Sequence, residues 1–217
     1  MSPITTDTEE KRNSPELLAK KAPAYPDRTP MAQDELALLP DDGYRYEWWN
    51  GELRVSPSAS CPHQRCLTKF CSYLAIYMTD NGHGEAFQEE DVDISAELTV
   101  RPDFVLILAE KVKQLPRSGA IPFVPDGVGE VILPGGEYCD QVEKKALYEQ
   151  IGARWYFLLD NEARTLKLYT LEKDRGAASN APTQGGRYGE PQIWQGDAIF
   201  TLDEFPGLKI PLEKVWF

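Results

Sequence analysis

Helical and extended patterns alternate along residues 31–217, and this interleaving predicts an α/β (α+β) domain built around one mixed central sheet. Two observations carry the prediction. Between His63 and Asn81 the apolar residues Leu67, Phe70, Leu74 and Met78 fall three or four apart, the spacing of one face of an amphipathic helix. Two short apolar runs, Phe104-Val-Leu-Ile-Leu and Val128-Gly-Glu-Val-Ile-Leu, read instead as strands covered on both faces.

The elements follow in order. Residues 1–30 are rich in Thr, Glu, Lys, Ser and Pro without sustained periodicity, which predicts a flexible N-terminal arm with room for a short helix around Pro15 to Lys21. The folded unit, residues 31–217, opens with a helical turn in Met31-Ala-Gln-Asp-Glu-Leu. Aromatic and β-branched residues then flank Asn50-Gly51, a pair that tolerates positive φ and so centres a tight hairpin over residues 44–55. The amphipathic helix stops at Asn81-Gly82. Alternation through Ala86 to Ile94 and the run from Val100 to Leu108 give two strands, and a Pro- and Gly-rich loop from Gln114 leads to the strand at Val128. Asp140 to Ile151 form a helix stopped by Gly152, which takes the left-handed conformation freely. Trp155-Tyr-Phe-Leu-Leu-Asp is a buried strand, turned at Asn161–Arg164 into the half-exposed Thr165–Leu171. Lys173 to Gly186 is a polar loop, and Phe200, Leu202, Phe205, Leu208 and Trp216 anchor the C-terminal region.

Composition narrows the function classes. A length of 217 residues fits one domain with a tail, and an apolar fraction of 41% supports a sizeable core. No stretch approaches the apolar length of a membrane helix, and charged residues in Met1–Lys21 occupy the place of a signal peptide's apolar segment, so the expected location is cytoplasmic, without a membrane partner. Cys61, Cys66, Cys71 and Cys139 lack CxxC spacing, and steps of five residues scatter the first three around a helix, so they read as small buried hydrophobes rather than zinc ligands. A net charge of −12 opposes simple electrostatic binding to nucleic acid. Lys111, Lys113 and Arg117 are candidates for a local basic patch that the total charge conceals, although three basic residues in a loop are ordinarily solvated.

Asp103 and Glu130 break the apolar pattern of their strands, where an unpartnered carboxylate would cost several kcal/mol. Convergence on a hard cation such as Mg²⁺ would account for both, because that ion takes oxygen ligands and few protein carboxylates. The competing account has each hydrogen-bonded at a strand end or paired with Arg101 or Arg154. Asp140, Lys144 and Tyr148 line one helical stripe, either as a solvated face or aimed at the carboxylates, where Lys144 would orient water or stabilise a charged phosphoryl group. Glu52 is either an acidic group of the cleft or a hairpin surface residue. Glu47 is a weaker acidic candidate of the same hairpin. His63 either contacts substrate and carries protons or simply begins its helix. His83 reads as a turn residue.

The ordered set Tyr46-Glu-(x)3-Gly51-Glu52-Leu, Pro62-His63-Gln64, Pro102-Asp103, Glu130-Val-Ile-Leu-Pro, Asp140-(x)3-Lys144-(x)3-Tyr148 and Trp155-Tyr-Phe-Leu-Leu-Asp160 resembles the Uma-two family, a branch of the PD-(D/E)XK nuclease superfamily. The resemblance spans roughly residues 31–217. It implies a restriction-endonuclease-like mixed sheet flanked by helices, catalytic Asp103, Glu130 and Lys144, and a metal held by Asp103, Glu130 and the carbonyl of Val131. Ile132 fills the superfamily's triplet-lysine position, so Lys144 on the following helix takes that place. The implied activity is Mg²⁺- or Mn²⁺-dependent hydrolysis of DNA, with Glu52 and His63 near substrate. Leu133-Pro134-Gly135-Gly136 departs from the hydroxyl-rich stretch usual in the family. That departure and the acidic charge support an alternative, a catalytically impaired scaffold, acting as a homodimer, that binds nucleic acid or a protein partner.

Overall fold

The structure is a computed structural model that describes residues 22–173 and 186–217. The helix expected around Pro15 to Lys21 and the interior of the loop after Lys173 lie outside the described residues.

The first sheet gathers the N-terminal strands. Thr29–Pro30 (β1) precedes a 3₁₀ turn at Gln33–Leu38, and Tyr44–Trp49 (β2) turns into Glu52–Pro57 (β3). Asn50 and Gly51 make that turn with φ of 51° and 89°, the two positive values the sequence pair predicts. Cys61–Asp80 (α1) follows, its N-terminus capped by Ser60, whose side chain accepts the His63 N–H. Gly84–Gln88 (β4), Val92–Ser95 (β5) and Leu98–Val100 (β6) lead to Phe104–Leu108 (β7) and the short helix Ala109–Val112 (α2). Gly127–Val131 (β8) is followed by a π-helical turn at Cys139–Lys144 and by Lys145–Ile151 (α3), which ends at Gly152 with φ of 85°. The strands Trp155–Asp160 (β9), Thr165–Lys173 (β10), Gly186–Tyr188 (β11), Gln192–Gln195 (β12), Ile199–Phe200 (β13) and Ile210–Pro211 (β14) complete the domain.

The α/β class stands, with two principal sheets in place of the single one expected. β1, β3, β2, β6 and β5 form an antiparallel sheet in that order. The larger sheet runs β11-β10-β9-β8-β7-β4, with β12 also on β10, and is mixed because β8 and β9 pair in parallel while its other pairs are antiparallel. The run from Val100 to Leu108, expected as one strand, is divided between the sheets. Pro102 has no N–H to donate to a ladder, and the chain crosses from β6 to β7 over Arg101-Pro102-Asp103.

Both faces of the larger sheet are covered, as its uninterrupted apolar strands predict. Phe104 and Leu106 of β7 and Trp155, Phe157 and Leu159 of β9 pack with Leu67, Phe70, Leu74 and Met78 of α1. The alternate residues Val105, Ile107, Tyr156 and Leu158 pack with Leu147, Tyr148 and Ile151 of α3. At Gly129 a Cβ would fall 1.9 Å from the Phe104 ring, so glycine is needed there for close approach of β7 and β8. Among the described residues no helix is long and apolar enough to cross a membrane.

Candidate active site

β7 and β8 bring the two anomalous carboxylates together. Phe104 pairs with Gly129 across the antiparallel ladder, and continuing that register by one residue sets Asp103 opposite Glu130. Their exposures are 1% and 2%, too low for water to replace missing partners, so the surrounding groups must satisfy them.

Asp103 accepts three hydrogen bonds. Arg45 of β2 donates from Nη1 to Oδ1 at 2.5 Å, the Val131 N–H donates to Oδ2 at 2.8 Å, and His63 Nε2 lies 2.9 Å from the same oxygen. Burial disfavours the Asp103 charge, but the His63 hydrogen bond and the charges of His63, Arg45 and Lys144 outweigh it and hold the carboxyl well below the usual range. Because Asp103 is an anion, His63 Nε2 is the donor. Its Nδ1 is buried and has no hydrogen-bond partner among the described residues. Arg45 also pairs with Glu89, which fixes its guanidinium between two acids.

Glu130 is bound from the π turn and α3. Tyr148 donates its hydroxyl to Oε1 at 2.7 Å and Lys144 Nζ stands 2.8 Å from Oε2. Lys144 also lies 3.7 Å from Asp140 Oδ1 and 4.0 Å from Glu47 Oε2. With Glu89 included, five carboxylates thus surround one ammonium and one guanidinium. Burial raises Glu130 to about 8; Lys144 opposes this, while Asp103, Asp140 and Glu47 reinforce it. Asp140 rises to about 6 by the same balance. Burial works against the Lys144 charge, but the surrounding acids, Glu130 foremost, raise its pKa and keep it cationic.

The π turn explains how a helix supplies these groups. Its wider winding reduces the sideways drift between Asp140 and Lys144, and Tyr156 donates its hydroxyl to the Asp140 carbonyl at 2.7 Å to support it. Glu143 within the turn is tied to Arg28 and Arg54, which anchors it to the smaller sheet.

Asp103, Glu130, Val131, Lys144 and His63 all line one cavity of about 300 Å³. Glu52 does not. It is exposed on the hairpin, outside the cavity lining, and takes its surface reading. Arg101 and Arg154, the alternative partners of the two acids, pair instead with Asp91 and Glu204. Cys66 and Cys71 are buried as expected, whereas Cys61 is exposed. Of the basic residues expected on a loop, Lys111 lies in α2 and is paired with Asp126, while Lys113 and Arg117 are exposed away from the cavity. The residues that sequence reasoning passed over or underweighted are Arg45 and Glu47. Their signal was present: two charges at alternate positions among the aromatic residues of Tyr44-Arg-Tyr-Glu-Trp-Trp share one strand face.

The donor set suits a hard cation. Carboxylate oxygens exceed the available positive charge, and burial lifts Glu130 above the ordinary carboxylate range, so that a divalent ion would compete there with a proton. Among the described residues no group of three or more His, Cys, Asp or Glu side chains is arranged to hold an ion alone.

Comparison with known proteins agrees with this architecture. A family model described as "Uma2: Putative restriction endonuclease" matches residues 33–213. A crystal structure of a protein described as a putative nuclease belonging to DUF820, from Anabaena variabilis ATCC 29413, superposes with a TM-score of 0.66 at 16% identity, covering 86% of this chain and 98% of that one. The two share a fold. No curated protein matches.

Proposed function

The chain belongs to the Uma2 family, and from that premise we propose that it is a metal-dependent endonuclease hydrolysing DNA phosphodiester bonds. The observation that carries the proposal is the burial of Asp103 and Glu130 opposite one another in a cavity, with the Lys144 ammonium 2.8 Å from Glu130. Asp103, Glu130 and the Val131 carbonyl would hold Mg²⁺ or Mn²⁺. A bound divalent cation would supply positive charge where negative charge develops on the phosphoryl oxygens and make water a better nucleophile.

The protein groups have separable roles. Arg45, His63 and the Val131 amide keep Asp103 ionised and fixed in orientation. Tyr148 fixes the Glu130 carboxyl. Lys144 remains charged in a dry site, where a preorganised cation is worth far more to a developing negative charge than it is in water.

Plasmid nicking with Mg²⁺ or Mn²⁺ tests the reading, with Asp103→Asn expected to abolish it. Equal nicking by both proteins would assign the activity elsewhere. Intact folding without Mn²⁺ binding at millimolar metal would instead support a non-catalytic scaffold.

A further inference from the structure

Beside the acidic centre, Arg54 of β3 lies with its guanidinium carbon 4.3 Å from the centroid of the Trp49 ring, and both residues line the cavity. Its Nε is 3.2 Å from Asp27 Oδ1 and its Nη2 2.7 Å from Glu143 Oε2. Arg28 pairs with the same two carboxylates, so this cluster of two arginines and two acids is close to neutral. A guanidinium whose charge is already answered is a poor phosphate anchor. What it retains is a rigid plane, fixed by a tryptophan and two carboxylates and only 12% exposed at its side chain. Pro57, Leu133 and Pro134 add apolar walls to the same cavity.

We propose that Arg54, backed by Trp49, is the stacking floor of a nucleobase subsite, so that the nucleic acid acted on presents an unpaired nucleotide from a single strand or an opened end. This rests on the nuclease reading above and narrows its substrate. Asp103 and Glu130 are almost wholly enclosed, so a scissile phosphate must descend into the cavity to meet them. In an intact duplex that phosphate is held by stacked neighbours and a partner strand. A broad basic face would be needed to receive it, whereas the chain carries −12 and the cavity's Arg45, Arg54 and Lys144 are each paired with acids. A splayed nucleotide enters without the duplex, and guanidinium planes are suitable surfaces for its base.

Fluorescence anisotropy on the full chain tests this, with Ca²⁺ replacing Mg²⁺ to suppress turnover. The probes are a DNA single strand of about twelve nucleotides, its duplex, and a strand of abasic spacers. The single strand should bind about tenfold or more tighter than the duplex and than the abasic strand. Arg54→Lys, which keeps the charge and removes the plane, should weaken the intact strand about tenfold and leave the abasic strand nearly unchanged. Equal binding of duplex and single strand would overturn the proposal, as would equal weakening of intact and abasic strands by Arg54→Lys. The comparison of intact with abasic strand needs no variant, so misfolding of Arg54→Lys leaves the test standing. Strand binding without cleavage of any nucleic acid in Mn²⁺ would uphold the subsite and refute the nuclease reading. Cleavage confined to duplex would do the reverse.

Discussion

Adding Mn²⁺ to the metal-free protein at neutral pH should expel close to one proton. The source is Glu130, raised from 4.5 to about 8 by burial and by the neighbouring Asp103, Asp140 and Glu47. With Glu130 held above the ordinary carboxylate range, a cation bound at its carboxylate at neutral pH should displace ~1 proton per ion. Isothermal calorimetry in buffers of different ionisation enthalpy counts that proton directly. Apparent Mn²⁺ affinity should rise about tenfold per pH unit from ~6 to ~8 and level off above it. The same linkage governs stability in EDTA. Because the folded pKa of Glu130 exceeds the unfolded value, its contribution is fully present below about 4.5 and disappears as pH rises through about 8. Asp103 has the opposite sign: its contribution is present above the ordinary carboxylate range and is lost only in strong acid. The melting temperature in EDTA should therefore fall from pH 6 to pH 9, with saturating Mn²⁺ removing the decline. No proton release at pH 7, or a metal affinity flat between pH 6 and 8, would refute the assignment of the surplus proton to the metal-binding carboxylates.

Lys144→Met removes the shared cation of four acids and should cost about 3 kcal/mol in denaturant unfolding at pH 8. The loss should shrink at pH 6 as the carboxyls protonate, and millimolar Mn²⁺ should restore part of it. Gly129→Ala drives a methyl group into the Phe104 ring, so urea unfolding should show a loss of several kcal/mol or no folded protein at all. Glu52→Gln alters only an exposed hairpin position and should leave stability within about 0.5 kcal/mol and Mn²⁺ affinity unchanged by calorimetry.

What the sequence made legible were features with a local cause. Asn50-Gly51 specifies its hairpin because few other pairs accept two positive φ values, and Gly152 specifies a helix end for the same reason. Asp103 and Glu130 stood out because a carboxylate in an apolar strand is costly. The division of Val100–Leu108 between two sheets was not legible, since hydrophobicity says that a run is buried and not which ladder it joins; Pro102 was the only local hint. The π turn was equally hidden, because α and π windings of Asp140 to Lys144 present the same side chains in the same order. Arg45 belongs to a third class. Its role depends on a pairing over 58 positions in sequence, which alternation within β2 restricts to one face but cannot assign to a partner.

The three-residue passage from β6 to β7 gives the molecule a seam with chemistry placed on it. Arg45 reaches Asp103 and Glu47 approaches Lys144 from one layer, Glu130 and the Val131 amide come from the other, and Asp103 belongs to the joint itself. Slippage between the layers would therefore pull a guanidinium and an amide in different directions on the same carboxylate. Enlarging a buried residue beside the joint, such as Thr99 or Val100, would disturb the surroundings of Asp103 without altering any group that bonds to it.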